Sequence, residues 1–148
     1  MKNNKQNRMI YIIGSLRNKN IPIIANKLRK DIKDCEVFDS WFAPGPEADD
    51  FLRDYCKGKG FNYKQTLRDY AAQHVFQFDK GHIDRATDVI VVMPAGKSAH
   101  LELGYSIGRG KRGYILFDSE PERVDVMHNF ATDVFTNYND LLEELKKY

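Results

Sequence analysis

The sequence predicts an α/β protein built on a doubly wound, mostly parallel sheet of four to five strands with helices on both faces. Three observations lead to this. Asp88 to Met93 is a short run of β-branched apolar residues without polar alternation, the pattern of a strand buried on both faces. Met9 to Ile13 and Tyr114 to Phe117 repeat that pattern. The segments between these runs carry helical periodicity. The resulting order, β-α-β-α-α-β-α-β-(β)-α, is that of parallel strands joined by helical crossovers.

Residues 1–8 are polar and unpatterned, which predicts a flexible N-terminus ahead of a single domain over residues 9–148. The first strand, Met9 to Ile13, ends at Gly14, Ser15, Leu16 and Arg17. Gly14 lets the backbone turn tightly and approach a ligand, while Ser15 and Arg17 supply a hydroxyl and a guanidinium. The plainer reading is a βα turn with a solvated arginine. Pro22 to Lys33 reads as an amphipathic helix presenting Ile23, Ile24, Leu28 and Ile32. Cys35 to Phe38 is a short second strand, followed by a loop with the lone tryptophan, Trp41. That ring either stacks on a planar base or plugs the gap between sheet and helices.

Glu47 to Lys57 reads as a helix closed by Gly58 and Gly60. A longer one is expected from Tyr63 to Lys80, with Leu67, Tyr70, Ala71, His74 and Phe78 on one face. On that reading His74 is a half-buried core residue. Asp79 then falls at a helix C-terminus, where a carboxylate opposes the dipole, so its placement invites a functional explanation.

The central strand breaks at Pro94. Ala95, Gly96, Lys97 and Ser98 lead into a helix from Ala99 to Gly108, with Ser98 where an N-cap is expected. Strand, small-residue loop and helix N-terminus together collect anions, because exposed amides and the helix dipole face the loop. Glu102 lies one turn in, among Leu101, Leu103, Tyr105 and Ile107. From there a carboxylate reaches over the carboxyl end of the strand, where open α/β sheets bind ligands. The competing reading is a helix-surface carboxylate. A triphosphate-binding loop is disfavoured, since Val91 stands where that motif needs its first glycine. Gly104, Gly108 and Gly110 likewise miss the dinucleotide spacing. The chain closes with a strand at Tyr114 to Phe117, a helical turn within Val124 to Phe130, a small strand at Val134–Phe135, and a helix from Asn139 to Lys147.

Bulk properties narrow the function classes. The chain has 148 residues, enough for a core, with 42% hydrophobic and 30% charged residues and a net charge of +2. That balance lacks the concentrated basic face of a nucleic-acid binder. The N-terminus has no signal-peptide apolar region, and no run approaches the roughly 18 apolar residues of a membrane span. Cys35 and Cys56 form neither a metal-ligand spacing nor a disulfide framework, which predicts a cytoplasmic protein with no metal and no cofactor.

Tyr11 in the first strand, Gly14 and Ser15 after it, Asp79, Ser98 and Glu102 together form a pattern that resembles the nucleoside 2'-deoxyribosyltransferase family. That family's relatives that hydrolyse nucleoside 5'-monophosphates look similar too. The matching text runs through Met9 to Ser15, Phe78 to Ile83, Ala86 to Val92 and Gly96 to Tyr105, and it is thin between Asn18 and Gln77. The segment Glu102, Leu103, Gly104, Tyr105 behind a serine-containing loop is its most specific part.

The resemblance implies a Rossmann- or flavodoxin-like fold and three roles. Glu102 is the nucleophile on the anomeric carbon, Asp79 the acid that protonates or holds the departing base, and Tyr11 the hydrogen bond that steers the nucleophile. It also implies association into homodimers or larger homo-oligomers, for which Tyr114, Phe130 and the last helix are candidates. Transferases of free nucleosides tend to carry an acidic residue in the loop before the glutamate. This chain has Gly96, Lys97 and Ser98 there, which welcome a phosphate, as do Ser15 and Arg17. A 5'-phosphorylated substrate is therefore expected, with hydrolysis and base transfer both open. The alternatives are a non-catalytic nucleotide sensor and an enzyme cleaving the nicotinamide–ribose bond of a dinucleotide.

Overall fold

The computed structural model describes residues 7–148. Five strands, β1 (Arg8–Ile13), β2 (Cys35–Phe38), β3 (Asp88–Val92), β4 (Arg112–Leu116) and β5 (Asp133–Phe135), form one wholly parallel sheet in the order β2-β1-β3-β4-β5. This is the flavodoxin-like doubly wound order. The helices are α1 (Asn20–Asp31), α2 (Ala48–Gly58), α3 (Tyr63–Arg68), α4 (Tyr70–Arg85), α5 (Lys97–Gly108) and α6 (Tyr138–Leu145). Short 3-10 turns cover Ser40–Phe42 and Val126–Phe130. Among the described residues no helix is long and apolar enough to cross a membrane.

Strand alternation divides the core in two. Ile10, Ile12, Ile90 and Tyr114 pack beneath α1 and α6 with Ile21, Leu28, Leu141 and Leu145. Met9, Tyr11, Val89, Val91 and Ile115 face the other way, toward Ile83 of α4 and Ala99 and Leu103 of α5. β3 is buried along its whole length, as its unbroken apolar run predicts. Gly113 of β4 lets α5 sit close, because a Cβ there would meet Ile107 at 2.8 Å and Leu103 at 2.9 Å.

Several sequence expectations are corrected. The flexible segment expected over residues 1–8 lies outside the described residues for 1–6, but Arg8 already belongs to β1. Its Nε lies 3.2 Å from Asp88 Oδ2, and that charge pair extends the strand by a residue. α1 begins at Asn20, so Ile21 is buried and Ile23 is exposed. Asn18, two residues ahead, explains the early start, since its Oδ1 accepts the Asn20 amide at 3.0 Å.

The helix expected over Tyr63 to Lys80 is two helices. Asp69 adopts extended backbone (φ −63°, ψ 148°), and its side chain accepts the Ala71 amide, so it ends α3 and caps α4. α4 then continues to Arg85. Asp79 is consequently mid-helix, and the dipole argument that singled it out does not hold. His74 is exposed rather than half-buried in the core. Tyr114 is fully buried, which removes it from any contact with a second molecule.

Candidate active site

The sheet reverses its winding between β1 and β3, where α1 and α5 leave on opposite faces. The crevice at that point, over the carboxyl ends of the strands, holds a cleft of about 540 Å³. The β1–α1 loop brings Gly14, Ser15 and Arg17 to it, and the β3–α5 junction brings Gly96, Lys97, Ser98 and Glu102. Trp41 from the 3-10 turn after β2 and Asp79 from α4 line the far side, with Tyr11 buried in β1 beneath. All ten residues singled out in the sequence thus belong to one crevice or its floor.

Gly14 is required by packing rather than by an unusual turn. A Cβ there would stand 2.5 Å from Ile21 Cδ1 and 3.4 Å from the Val92 carbonyl oxygen. The loop that follows is held by Asn18, whose Nδ2 donates to the Val92 carbonyl across 74 residues of sequence (3.3 Å). Ser15 Oγ accepts the Arg17 amide at 3.1 Å.

On the other side of the crevice Gly96, not Ser98, is the N-cap of α5, and no side chain caps it. Ser98 is therefore corrected from cap to second helical residue, exposed at the cleft beside Lys97. The first amides of α5 are left without side-chain partners, the arrangement that favours an anion. A Cβ on Gly96 would meet nothing within 4 Å.

Glu102 sits one turn into α5, in an intermediate environment facing the cleft. Burial pushes its carboxyl up to about 7, the nearby Asp79 carboxyl adds to the rise, and the neighbouring Tyr11 hydroxyl partly offsets it. The Tyr11 hydroxyl is held well above the ordinary tyrosine range by burial and by the Glu102 and Asp79 charges, so it stays a neutral donor. Asp79 is pushed up to about 6, first by burial and then by Asp49. Its Oδ1 is buried with no hydrogen-bond partner. An unpartnered buried carboxyl oxygen is costly, and protonation is the cheapest relief.

Trp41 is anchored to the sheet at the edge of the cleft. Its Nε1 donates to the Ile12 carbonyl at 2.7 Å, which fixes the ring against the sheet, while the ring also lines the cleft. Arg17 is largely solvated, and its guanidinium pairs with Asp50 of α2 at 3.6 Å. Asp49 and Asp50 line the cleft from the first turn of α2 and were missed in the sequence, because nothing local says that this helix starts at the cleft. Asn18 was missed too, although an asparagine just ahead of a helix is a legible signal.

The other histidines and Asp84 face elsewhere. His82 stacks on Phe38 (4.0 Å between ring centroids), and Asp84 is engaged by Lys80 and the Tyr105 hydroxyl. His100 Nδ1 lies 2.8 Å from the Gly96 carbonyl, which can only accept, so Nδ1 carries a proton, and Nε2 lies 3.0 Å from His128 Nε2.

Comparison with known proteins adds to this geometry. No family model matches the sequence. No curated protein matches it either. Among solved structures, a conserved protein from Enterococcus faecalis V583 superposes with a TM-score of 0.62 at 12% identity, covering 95% of this chain and 98% of that one. The CMP N-glycosidase BcmB from Clostridium botulinum superposes with a TM-score of 0.51 at 15% identity, covering 94% and 99%. At these identities the likeness is one of fold.

Proposed function

We propose that this protein cleaves the N-glycosidic bond of a nucleoside 5'-monophosphate through a glutamate nucleophile, releasing or exchanging the base. The observation that carries the reading is the convergence of Glu102, Tyr11 and Asp79 at the crevice, with one carboxyl oxygen of Asp79 buried and unpartnered. The fold shared with a CMP N-glycosidase supports it. The two neighbouring carboxyls share their titration, and the reacting form is the one with Glu102 ionised and Asp79 protonated; in it the Glu102 carboxylate attacks the anomeric carbon, forming a sugar ester as the carbon–nitrogen bond breaks. The base leaves with the Asp79 proton. Water, or a second base, then displaces Glu102 and returns a proton to Asp79. Tyr11 holds the attacking oxygen by hydrogen bonding.

The test is an assay of the purified protein against the common ribo- and deoxyribonucleoside 5'-monophosphates, with free base detected by chromatography, with and without an acceptor base. Release of a base supports the reading, and incorporation of the acceptor identifies a transferase. No release from any nucleotide overturns it. Nicotinamide dinucleotide cleavage and simple nucleotide binding are the next measurements in that case.

The phosphate is assigned to the α5 N-terminus with Lys97, Ser98, Ser15 and Arg17. Lys97→Ala is expected to raise KM for the nucleotide on the order of tenfold, with a smaller rise for Arg17→Ala, whose guanidinium is shared with Asp50. KM for the corresponding nucleoside is expected to stay unchanged. Equal effects on nucleotide and nucleoside would remove the phosphate from this site.

Association into a homo-oligomer belongs to the same reading. Phe51, Tyr55, Tyr63, Tyr70, Val75 and Phe76 expose apolar side chains on α2, α3 and α4, with Tyr70 93% accessible. Exposed aromatics in such number on neighbouring helices favour a protein contact. Sedimentation velocity is expected to find a dimer or larger species, dissociated by Tyr70→Glu with Phe76→Glu. A monomeric wild type at micromolar concentration would exclude it.

A further inference from the structure

The crevice does not end at the residues assigned to the 5'-phosphate. Ser15, Arg17 and Gly96, which line the cleft, also line a second cavity of about 280 Å³. Asn18, Pro94 and Ala95 complete its lining. Trp41, Asp79 and Glu102 line only the first space, so the phosphate residues stand between them and the second. Its size is close to the lower end of the roughly 300–1,000 Å³ that small-molecule sites span.

The two spaces differ in charge. Asp49, Asp50, Asp79 and Glu102 line the first, beside Arg17 and Lys97. No carboxyl side chain lines the second, where Arg17 is the one charged residue. The Arg17 side chain is 72% exposed and loosely paired, with Asp50 at 3.6 Å, so its guanidinium is available to a ligand on either side. Ser15 Oγ accepts the Arg17 amide and keeps its own proton to donate. The wall opposite is fixed by Asn18, which is buried and held to the Val92 carbonyl and the Asn20 amide. Gly96, at the seam, has no side chain to divide the two spaces. An enzyme confined to terminal monophosphates needs a group that blocks or repels a further phosphate. Here a cavity beside a cation stands in that place.

We propose that the second cavity is a subsite for a further phosphate, so that the base is released from nucleoside 5'-diphosphates as well as from monophosphates. This inference rests on the proposed base release. The first phosphate takes the α5 N-terminus with Lys97 and Ser98, and the second lies past Gly96 against Arg17 and Ser15. The bond chemistry is unchanged. Glu102 displaces the base, water then releases the pentose 5-diphosphate, and no phosphorus–oxygen bond breaks.

The test compares the mono- and diphosphate of one nucleoside, by chromatography of released base and by calorimetric binding. In the wild type, kcat/KM for the diphosphate is expected within about tenfold of the monophosphate value, with tighter binding. Ala95 lines the second cavity and not the first. Ala95→Glu places a carboxylate there, and is expected to lower kcat/KM for the diphosphate on the order of tenfold. The monophosphate value is expected to change less than about twofold. Part of the Ala95 side chain packs on the core, so the monophosphate rate also reports folding. Arg17→Ala is expected to cost the diphosphate on the order of tenfold, more than it costs the monophosphate. If Ala95→Glu does not fold, the wild type and Arg17→Ala decide.

A wild type that cleaves the monophosphate more than about tenfold better than the diphosphate overturns the inference. So does equal loss on both substrates in either folded variant. Release of base from neither nucleotide overturns the proposed function instead. Calorimetry then judges the subsite alone: tighter binding of the diphosphate, weakened by Arg17→Ala, upholds it, and equal or weaker binding removes it.

Discussion

Glu102→Gln is expected to reduce base release on the order of 10⁴-fold or more, with the fold retained. The amide keeps the size of the carboxyl but supplies no anionic oxygen, so on the proposed mechanism the first step loses its nucleophile. KM for the nucleotide is expected to change little, because the proposed phosphate contacts lie at the α5 N-terminus, one turn away. Stability gives an independent signature.

The folded-state carboxyl is raised to about 7, so the folded protein binds a proton that the unfolded chain has released above about pH 4.5. The contribution of this group to stability is therefore greatest below the unfolded value and is lost as pH rises through 7. Glutamine does not ionise, and the variant is expected to be the more stable of the two above pH 7. Activity lost together with stability would point to misfolding. Retention of more than about a hundredth of wild-type activity would remove Glu102 from the nucleophile's role.

The largest effect on stability is expected from Asp88→Ala, at about 3–5 kcal/mol. Asp88 opens the central strand β3, at the end of the strands opposite the cleft, and is fully buried. Arg112 Nε lies 2.7 Å from Oδ1, Arg8 Nε 3.2 Å from Oδ2, and the Thr87 hydroxyl 2.7 Å from Oδ2. Arg8 also donates to the Leu145 carbonyl at 2.7 Å, so the same guanidinium ties α6 to the sheet. Removing the carboxylate leaves two partly buried guanidiniums facing each other without an anion. Thermal unfolding is expected to shift down by roughly 10 °C.

Burial alone would raise the Asp88 carboxyl, but the hydrogen bonds from Arg112, Arg8 and Thr87 outweigh it and hold it below the usual aspartate value. Its stabilisation is therefore fully present above the unfolded pKa and is lost as pH falls through the folded one. The gap between wild type and Asp88→Asn is accordingly expected to close below about pH 4. A variant with wild-type melting at pH 7 would show that the cluster contributes nothing net. Base release per folded molecule is expected to be unaffected, because the cluster lies at the other end of the strands.

The strands and the parallel topology were legible in the sequence because a strand buried on both faces leaves an unbroken apolar run, and β1, β3 and β4 each do so. The crevice was legible as well, since a small-residue loop after such a strand lies at the carboxyl end of the sheet whatever the details. Glu102 stood out as a lone acid among apolar residues. Asp79 was singled out by a dipole argument that the longer α4 removes. What distinguishes it is an unpartnered buried oxygen, a property no sequence pattern encodes.

Local sequence thus determined the fold class, the strand–loop–helix unit at the centre and the residues that fill it, because alternation, periodicity and helix ends act over a few residues at a time. Tertiary structure alone decided the rest. The burial that raises Glu102 and Asp79 comes from elements far apart in sequence. The presence of Asp49 over the cleft depends on how α2 packs. Charge, desolvation and packing act through space, and the chain order records none of those distances.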